Sequence, residues 1–122
     1  MPTNELPPPI ADYFAAKGGD PEDTLACFTE DATINDIGED KVLEGTAQIR
    51  DWLSGISTYK LTTEFKSFEQ RDGKPVVRAV VSGDFPGSPY EFEYRFELRG
   101  DKIARLDIDP IGSLAVRRAP RR

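Results

Sequence analysis

Residues 90–99 read YEFEYRFELR, a run in which apolar residues alternate strictly with charged ones. A period of two is typical of a β-strand that has one face against a core and the other in water. Gly100-Asp101 is a turn signal, and KIARLDID (102–109) predicts a partner strand. This stretch therefore predicts an antiparallel hairpin with one aromatic face and one charged face.

The sequence before this hairpin predicts two more strands of the same sheet. Alternate residues from 59 to 65 favour one face, and Phe68 breaks that parity, which indicates a bulge. Asp72-Gly73 is a hairpin signal, alternate residues from 77 to 85 share a second face, and PGSP (86–89) marks another turn. Three short connections between four strands predict an antiparallel meander, because parallel neighbours need long crossovers.

The first half of the chain carries helical signals. The proline cluster at 7–9 opens a helix that ends at Gly18-Gly19. Asp20-Pro21 then starts a second, short helix, whose buried side is expected to hold Leu25 and Phe28. The aromatic face of the sheet needs a cover, and these helices can supply it.

A third helix is predicted over residues 46–56, and short strands precede it. The apolar residues of this helix recur at the spacing of an amphipathic helix, and they are Ile49, Trp52, Leu53 and Ile56. ATINDI (32–37) predicts a short strand, and VLEG (42–45) follows it. We therefore predict a cone-shaped α+β fold, with three N-terminal helices on a curved antiparallel sheet of about four long strands and one or two short ones. The domain is expected to span residues 1–109, before a flexible, Arg-rich C-terminal tail over 110–122.

The composition narrows the classes of function. The 122-residue chain has no histidine and one cysteine, Cys27, which excludes histidine-based nucleophilic triads and disfavours a metal site. We expect no cofactor, and a single thiol indicates a reducing, cytoplasmic location. The formal net charge is −6 although the last six residues, RRAPRR, hold four arginines. We expect the acidic body to bind no nucleic acid, and no apolar run is long enough for a membrane span.

Three stretches carry a resemblance to a known family. GDPEDTLACFTEDATIND (19–36) combines a capped short helix, an Asp-Ala-Thr step and a strand that ends in a carboxylate. EGTAQIRDWL (44–53) and SGDFPGSPYEFEYRFELRGDKIARLDI (82–108) match a helix opening and a meander of the same family. With the order of elements, these stretches resemble the NTF2-like superfamily, specifically its SnoaL-like and ketosteroid-isomerase-like branches. The superfamily includes isomerases, cyclases, dehydratases, epoxide hydrolases and binding modules, so the resemblance implies a fold more than an activity.

Asp36 is the main polar candidate for a site. If Ile34 faces the core, strand parity makes Asp36 face inward as well. A carboxylate among apolar walls has a raised pKa, which suits a general base. The alternative is that Asp36 merely caps the turn into Gly38.

The resemblance adds two hydroxyl groups to this candidate site. It implies that Asp36 matches the base of the isomerases, and that Tyr13 matches the tyrosine that donates a hydrogen bond to the oxyanion. The interval from Tyr13 to Asp36 is one residue shorter than the isomerase pattern. The position of the second, acidic donor falls at or beside Tyr94, so we expect tyrosine to replace an acid there. Ordinary core packing is the alternative for Tyr13.

Four aromatic residues are expected to line an apolar pocket: Phe14, Phe28, Trp52 and Phe92. Simple core packing is the alternative for these side chains. Two other branches of the superfamily fit poorly. The dehydratase branch depends on histidine, and the epoxide-hydrolase branch needs an arginine inside the pocket. The alternation of residues 90–99 places the Arg95 side chain on the charged, outer face of the sheet. We expect the side chains of Arg78 and Arg105 to lie on that face as well.

Two functions remain open at this stage. The first is a cofactor-independent isomerase or cyclase that binds a small apolar carbonyl compound of steroid or polyketide type. The second is a non-catalytic ligand-binding or dimerisation module. The resemblance also implies a homodimer formed through the sheet.

Overall fold

A computed structural model describes residues 6–16, 20–56, 61–85 and 87–114. It contains three α-helices, α1 (Pro8–Ala16), α2 (Pro21–Leu25) and α3 (Gly45–Ile56), and a 3-10 turn at Ile37–Glu39. The six strands are β1 (Phe28–Asp36), β2 (Lys41–Glu44), β3 (Thr62–Arg71), β4 (Lys74–Ser82), β5 (Tyr90–Arg99) and β6 (Lys102–Ser113). No helix in the described ranges is long and apolar enough to cross a membrane.

All six strands form one sheet in the order β2-β1-β6-β5-β4-β3. The predicted meander from β3 to β6 is confirmed, and every neighbouring pair within it is antiparallel. The prediction of a wholly antiparallel sheet is wrong, because β1 pairs with β6 in parallel. The chain between these two strands is long enough for a parallel crossover, and local turn signals carry no information about such a distant pairing.

Local signals placed most turns correctly. Asp20 caps α2 by accepting a hydrogen bond from the Glu22 amide at 3.0 Å. Asp72 and Gly73 both have positive φ, which is the conformation of a tight hairpin turn. The register shifts between Phe65 and Ser67, which confirms the bulge predicted from Phe68.

Three element boundaries differ from the expectation. The second helix ends at Leu25, and Phe28 begins β1 instead of lying on the helix, because it pairs with Ile103 of β6. Thr24, instead of Phe28, is the buried residue of α2. The last strand continues to Ser113, so the predicted domain end at residue 109 lies inside β6. The predicted tail beyond Leu114 falls outside the described residues.

The core lies between the helices and the inner face of the sheet. The fully buried side chains there include Tyr13 of α1, Ile49 of α3 and Phe96 of β5. The outer face is charged as predicted, with Arg78 and Arg95 on it, but Glu93 is buried although parity placed it in solvent. Arginine side chains surround this carboxylate, and their long stems remove it from water.

Candidate functional site

The sheet register places Asp36 and Tyr94 in one row. Asp36 is opposite Ile108, and Ile108 is opposite Tyr94. Residues directly opposite each other point to the same face, so both side chains project from the inner face. They lie two strands apart, which corresponds to roughly 10 Å between their Cα atoms.

Among the described residues, the Asp36 carboxylate has one side-chain hydrogen-bond partner. The indole N–H of Trp52 donates a hydrogen bond to Oδ2 over 3.0 Å, and both side chains are half-buried. The Asp36 side chain does not form a well-aligned cap of the 3-10 turn, but the backbone N–H of Glu39 lies near its carboxylate and lowers the pKa of Asp36. Asp36 therefore has both the inward orientation and a contact with the turn that follows it.

Burial raises the pKa of Asp36 above its ordinary value. The hydrogen bond from Trp52 opposes this shift, the charge of Glu39 adds to it, and the charge of Lys41 opposes it. Lys41 is directly opposite Asp36 in the β1–β2 pair. Sequence analysis missed this lysine, although the short connection between the two predicted strands was the signal that could have found it.

Tyr13 is completely buried in a cluster of aromatic rings. Its ring makes edge-on contacts with Phe28 at 5.8 Å and with Phe96 at 6.1 Å between centroids. Its hydroxyl has no hydrogen-bond partner in the described part of the chain. Burial, followed by the charges of Asp36 and Cys27, raises the pKa of Tyr13, so the hydroxyl stays protonated and can donate a hydrogen bond.

Tyr94 lies in the same cluster and is also buried. The ring centroids of Tyr13 and Tyr94 are 6.4 Å apart. Burial raises the pKa of Tyr94 far above its ordinary value, and the charges of Tyr13 and Asp36 add to the shift. The structure therefore brings Asp36, Tyr13 and Tyr94 into one electrostatically coupled group.

The four predicted wall residues divide into two pairs. Phe14 and Phe28 lie inside the packed core, whereas Trp52 and Phe92 are half-buried. Phe92 stacks on Tyr90 with 5.2 Å between ring centroids. Trp52 and Phe92 therefore retain surface that a ligand could contact directly.

Several clefts open on the surface away from this group. The roomiest, about 450 Å³, lies near Asp12, Cys27 and Lys102, and two smaller ones lie beside β5. None of these three clefts is lined by Asp36, Tyr13 or Tyr94. Tyr13 and Tyr94 are almost completely buried, so a ligand can reach their hydroxyls only if neighbouring side chains move. No cluster of acidic or cysteine side chains suited to a metal ion is found within the described ranges.

Comparison with known proteins places this geometry in a family. The family described as the SnoaL-like domain matches residues 10–106. A proposed polyketide cyclase from Sinorhizobium meliloti is 31% identical, with a TM-score of 0.79, over 89% of this chain and all of that one. The epoxide hydrolase/cyclase-like enzyme SalBIII, which acts in pyran ring formation in salinomycin, is 25% identical with a TM-score of 0.68, over 84% of this chain and 87% of that one.

A more distant structure agrees on the fold. A Catenulispora acidiphila protein with a ketosteroid-isomerase-like fold is 19% identical, with a TM-score of 0.76, over 94% of this chain and 95% of that one. No curated protein sequence matches the chain. The length of the family match and the agreement of the folds confirm the NTF2-like architecture, and the chain belongs to the SnoaL-like domain family.

Proposed function

We propose that this protein is a cofactor-independent acid–base enzyme, an isomerase or cyclase acting on a small apolar carbonyl compound of steroid or polyketide type. The observation that carries the proposal is an inward carboxylate, Asp36, near a buried phenol, Tyr13, whose hydroxyl has no hydrogen-bond partner among the described residues. The likeness to two cyclase-like proteins supports the same class of chemistry.

In this mechanism the Asp36 carboxylate takes a proton from the carbon beside the carbonyl. The electrons of that C–H bond move into the carbonyl, and the resulting oxyanion accepts hydrogen bonds from the hydroxyls of Tyr13 and Tyr94. Protonated Asp36 then returns the proton to a different carbon in an isomerase. In a cyclase, the enolate carbon instead attacks a second carbonyl carbon of the same molecule. The π bond of that second carbonyl breaks, its oxygen takes the proton from Asp36, and the first carbonyl re-forms. A raised pKa makes Asp36 a stronger base once it is ionised.

The proposed enzyme can be tested in two steps. A thermal-shift screen against steroids and polyketide-like ring ketones identifies a ligand, and deuterium uptake beside its carbonyl measures proton abstraction. Asp36→Asn is expected to keep binding but to slow exchange by about 10² to 10⁴. The matched control is Asp51→Asn, which removes an exposed carboxylate one residue from Trp52. Exchange at the wild-type rate in the Asp36 variant contradicts the proposal.

A non-catalytic ligand-binding module is the second candidate, favoured by the complete burial of Tyr13 and Tyr94. Ligand binding without any deuterium uptake would select it.

We also propose a homodimer that forms through the outer face of the sheet, where charges of both signs are nearly balanced. The charged residues of this face are Arg71, Lys74, Arg78, Arg95, Arg105, Glu69, Glu91, Glu93, Glu97, Asp107 and Asp109. Light scattering over a range of protein concentrations tests the dimer, and a monomer throughout contradicts it.

A cytoplasmic location completes the proposal. Its support is the single thiol of Cys27, which is buried and free. Fractionation of cells that express the tagged chain tests this location, and recovery outside the cytoplasm contradicts it.

A further inference from the structure

The hydrogen bond between Trp52 and Asp36 joins two elements that meet only through tertiary packing. Trp52 lies on α3 and Asp36 is the last residue of β1. The distance from Nε1 to Oδ2 is 3.0 Å, and the indole can only donate. Trp52 is also the one tryptophan of the chain.

The helix that carries Trp52 is held in place on both sides. Ile49 and Leu53 bury its apolar stripe in the core. On the exposed side, Arg50 donates a hydrogen bond from Nε to Oε2 of Glu22 over 2.6 Å, which links α3 to α2. A helix anchored in this way presents the indole N–H at a fixed place relative to the end of β1.

An N–H donated to Oδ2 has two consequences for the carboxylate. It fixes the rotation of the group, and it leaves lone pairs on Oδ1 for an incoming proton. It also favours the charged form, because a hydrogen bond to an ionised acceptor is stronger than one to a neutral acid. Without this donor, the effect of burial would be opposed less, so a larger fraction of Asp36 would be protonated at a given pH and unable to act as a base.

We propose that Trp52 is a positioning residue: its indole N–H orients the Asp36 carboxylate and keeps it ionised for proton abstraction, beyond any role as an apolar wall. This inference rests on the proposed function of Asp36. Other groups that act on Asp36 come from several elements, namely Glu39 of the 3-10 turn, Lys41 of β2, Tyr13 of α1 and Tyr94 of β5. From β6, the residue opposite Asp36 is the apolar Ile108. Trp52 is therefore the side-chain hydrogen-bond donor in this set.

The first test measures the titration of Asp36 without any substrate. The carboxyl carbon of Asp36 is followed by NMR in the wild type, in Trp52→Phe and in Arg50→Gln. Trp52→Phe is expected to raise the pKa of Asp36, since it removes the donor. Arg50→Gln, which loosens the same helix but leaves the indole, is expected to leave that pKa unchanged. Equal pKa values in the wild type and Trp52→Phe overturn the proposal.

A second test keeps the tryptophan and thus guards against a misfolded variant. The single indole N–H gives one resonance, which is expected to shift with pH at the same midpoint as the Asp36 carboxyl carbon. In Asp36→Asn this shift is expected to disappear. An indole resonance that titrates identically in Asp36→Asn overturns the proposal.

These two readouts need no turnover, so they separate this inference from the proposed enzyme. If turnover is found, Trp52→Phe is expected to move the acidic limb of the kcat/KM profile to higher pH, whereas a purely structural role would lower the profile uniformly. If no turnover is found but the two NMR titrations behave as expected, the proposed enzyme fails and the positioning of Asp36 stands. If Trp52→Phe lowers kcat/KM by the same factor at every pH and leaves the acidic limb of the profile in place, the positioning role is contradicted.

Discussion

Two carboxylates on opposite faces of this sheet, the half-buried Asp36 and the buried Glu93, differ in the direction of their pKa shifts. On the inner face, Asp36 has an indole N–H as its hydrogen-bonding side-chain partner, and burial raises its pKa. On the outer face, Glu93 accepts hydrogen bonds from Arg95 at 2.7 Å and from Arg71 at 3.0 Å. Burial of Glu93 also opposes ionisation, but these arginines outweigh it and hold the pKa of Glu93 below its ordinary value.

The comparison teaches that burial alone does not decide the chemistry of an acid. The Glu93 side chain is only 8% exposed, yet it is stabilised as an anion because cationic partners replace the water it loses. Asp36 is more accessible, but the charge of Lys41 and the indole N–H of Trp52 offset its burial only in part, and it therefore keeps its affinity for a proton. The outer carboxylate supports structure, whereas the inner one is available for chemistry.

The strongest way to sharpen this contrast is to remove the inner hydroxyl beside Asp36. Tyr13→Phe is expected to slow the proposed reaction by about 10² to 10³, because one donor to the oxyanion is lost. The same change is expected to stabilise the fold by about 1 to 3 kcal/mol, since it removes a buried hydroxyl that has no hydrogen-bond partner in the part of the chain that the structure describes. Deuterium uptake and urea unfolding measure the two effects. A loss of stability would show that the hydroxyl is satisfied in solution.

Exchanging the two carboxylates for amides tests the contrast directly. Glu93→Gln is expected to cost about 1 to 3 kcal/mol of unfolding free energy, because charge-assisted hydrogen bonds from arginine are weakened. Asp36→Asn is expected to be neutral or stabilising, since it removes the penalty for burying an anion. Urea unfolding at pH 7 measures both. Equal losses from the two variants would break the comparison.

The pH dependence of these two stability differences should have opposite signs. The lowered pKa of Glu93 stabilises the fold above the unfolded pKa of about 4.3, and this stabilisation is lost as pH falls through the folded value. The raised pKa of Asp36 instead lowers stability as pH rises from about 3.9 through its folded value. The loss of unfolding free energy in Glu93→Gln, relative to the wild type, should therefore shrink towards acid pH. Any gain of unfolding free energy in Asp36→Asn should instead grow from acid to neutral pH. Parallel curves for the two variants would contradict this assignment.

The smallest expected effect belongs to a pair on the surface. Arg50 Nε lies 2.6 Å from Glu22 Oε2, but the two side chains are 48% and 59% exposed. Water already solvates both charges, so Arg50→Gln is expected to leave the free energy of unfolding almost unchanged. Urea unfolding in low and high salt checks this expectation. A loss as large as that of Glu93→Gln would remove the distinction between buried and exposed pairs.

Strands and turns that depend on local periodicity were predicted correctly from the sequence. Strand pairings that depend on residues distant in sequence were not. The alternation in β5 and the Asp72-Gly73 turn located the meander because each signal lies within one hairpin. Strand parity placed Asp36 on the inner side for the same reason. The parallel pairing of β1 with β6 has no local signal, so the sheet was expected to be antiparallel throughout.

The site shows the same limit at the level of side chains. Helical spacing marked Trp52 as part of a buried stripe, but its donor bond to Asp36 depends on how α3 packs against β1. Parity assigned Glu93 to the outer face, yet it carried no information about how far Arg71 and Arg95 would cover it. Phe28 was expected on α2. It begins β1 instead, because it pairs with Ile103, which is distant in sequence and leaves no local signal.

The parallel pairing of β1 with β6 also has a consequence for the order in which the chain can fold. In the sheet, β6 lies between β1 and β5, although it is the last of the six described strands in the chain and leaves the ribosome after the other five. Until residues 102–113 emerge, β1 and β2 have no sheet neighbour that joins them to the β3–β5 meander. The platform beneath Asp36 is thus completed late, through contacts between distant parts of the sequence, which predicts slow folding for a chain of this length.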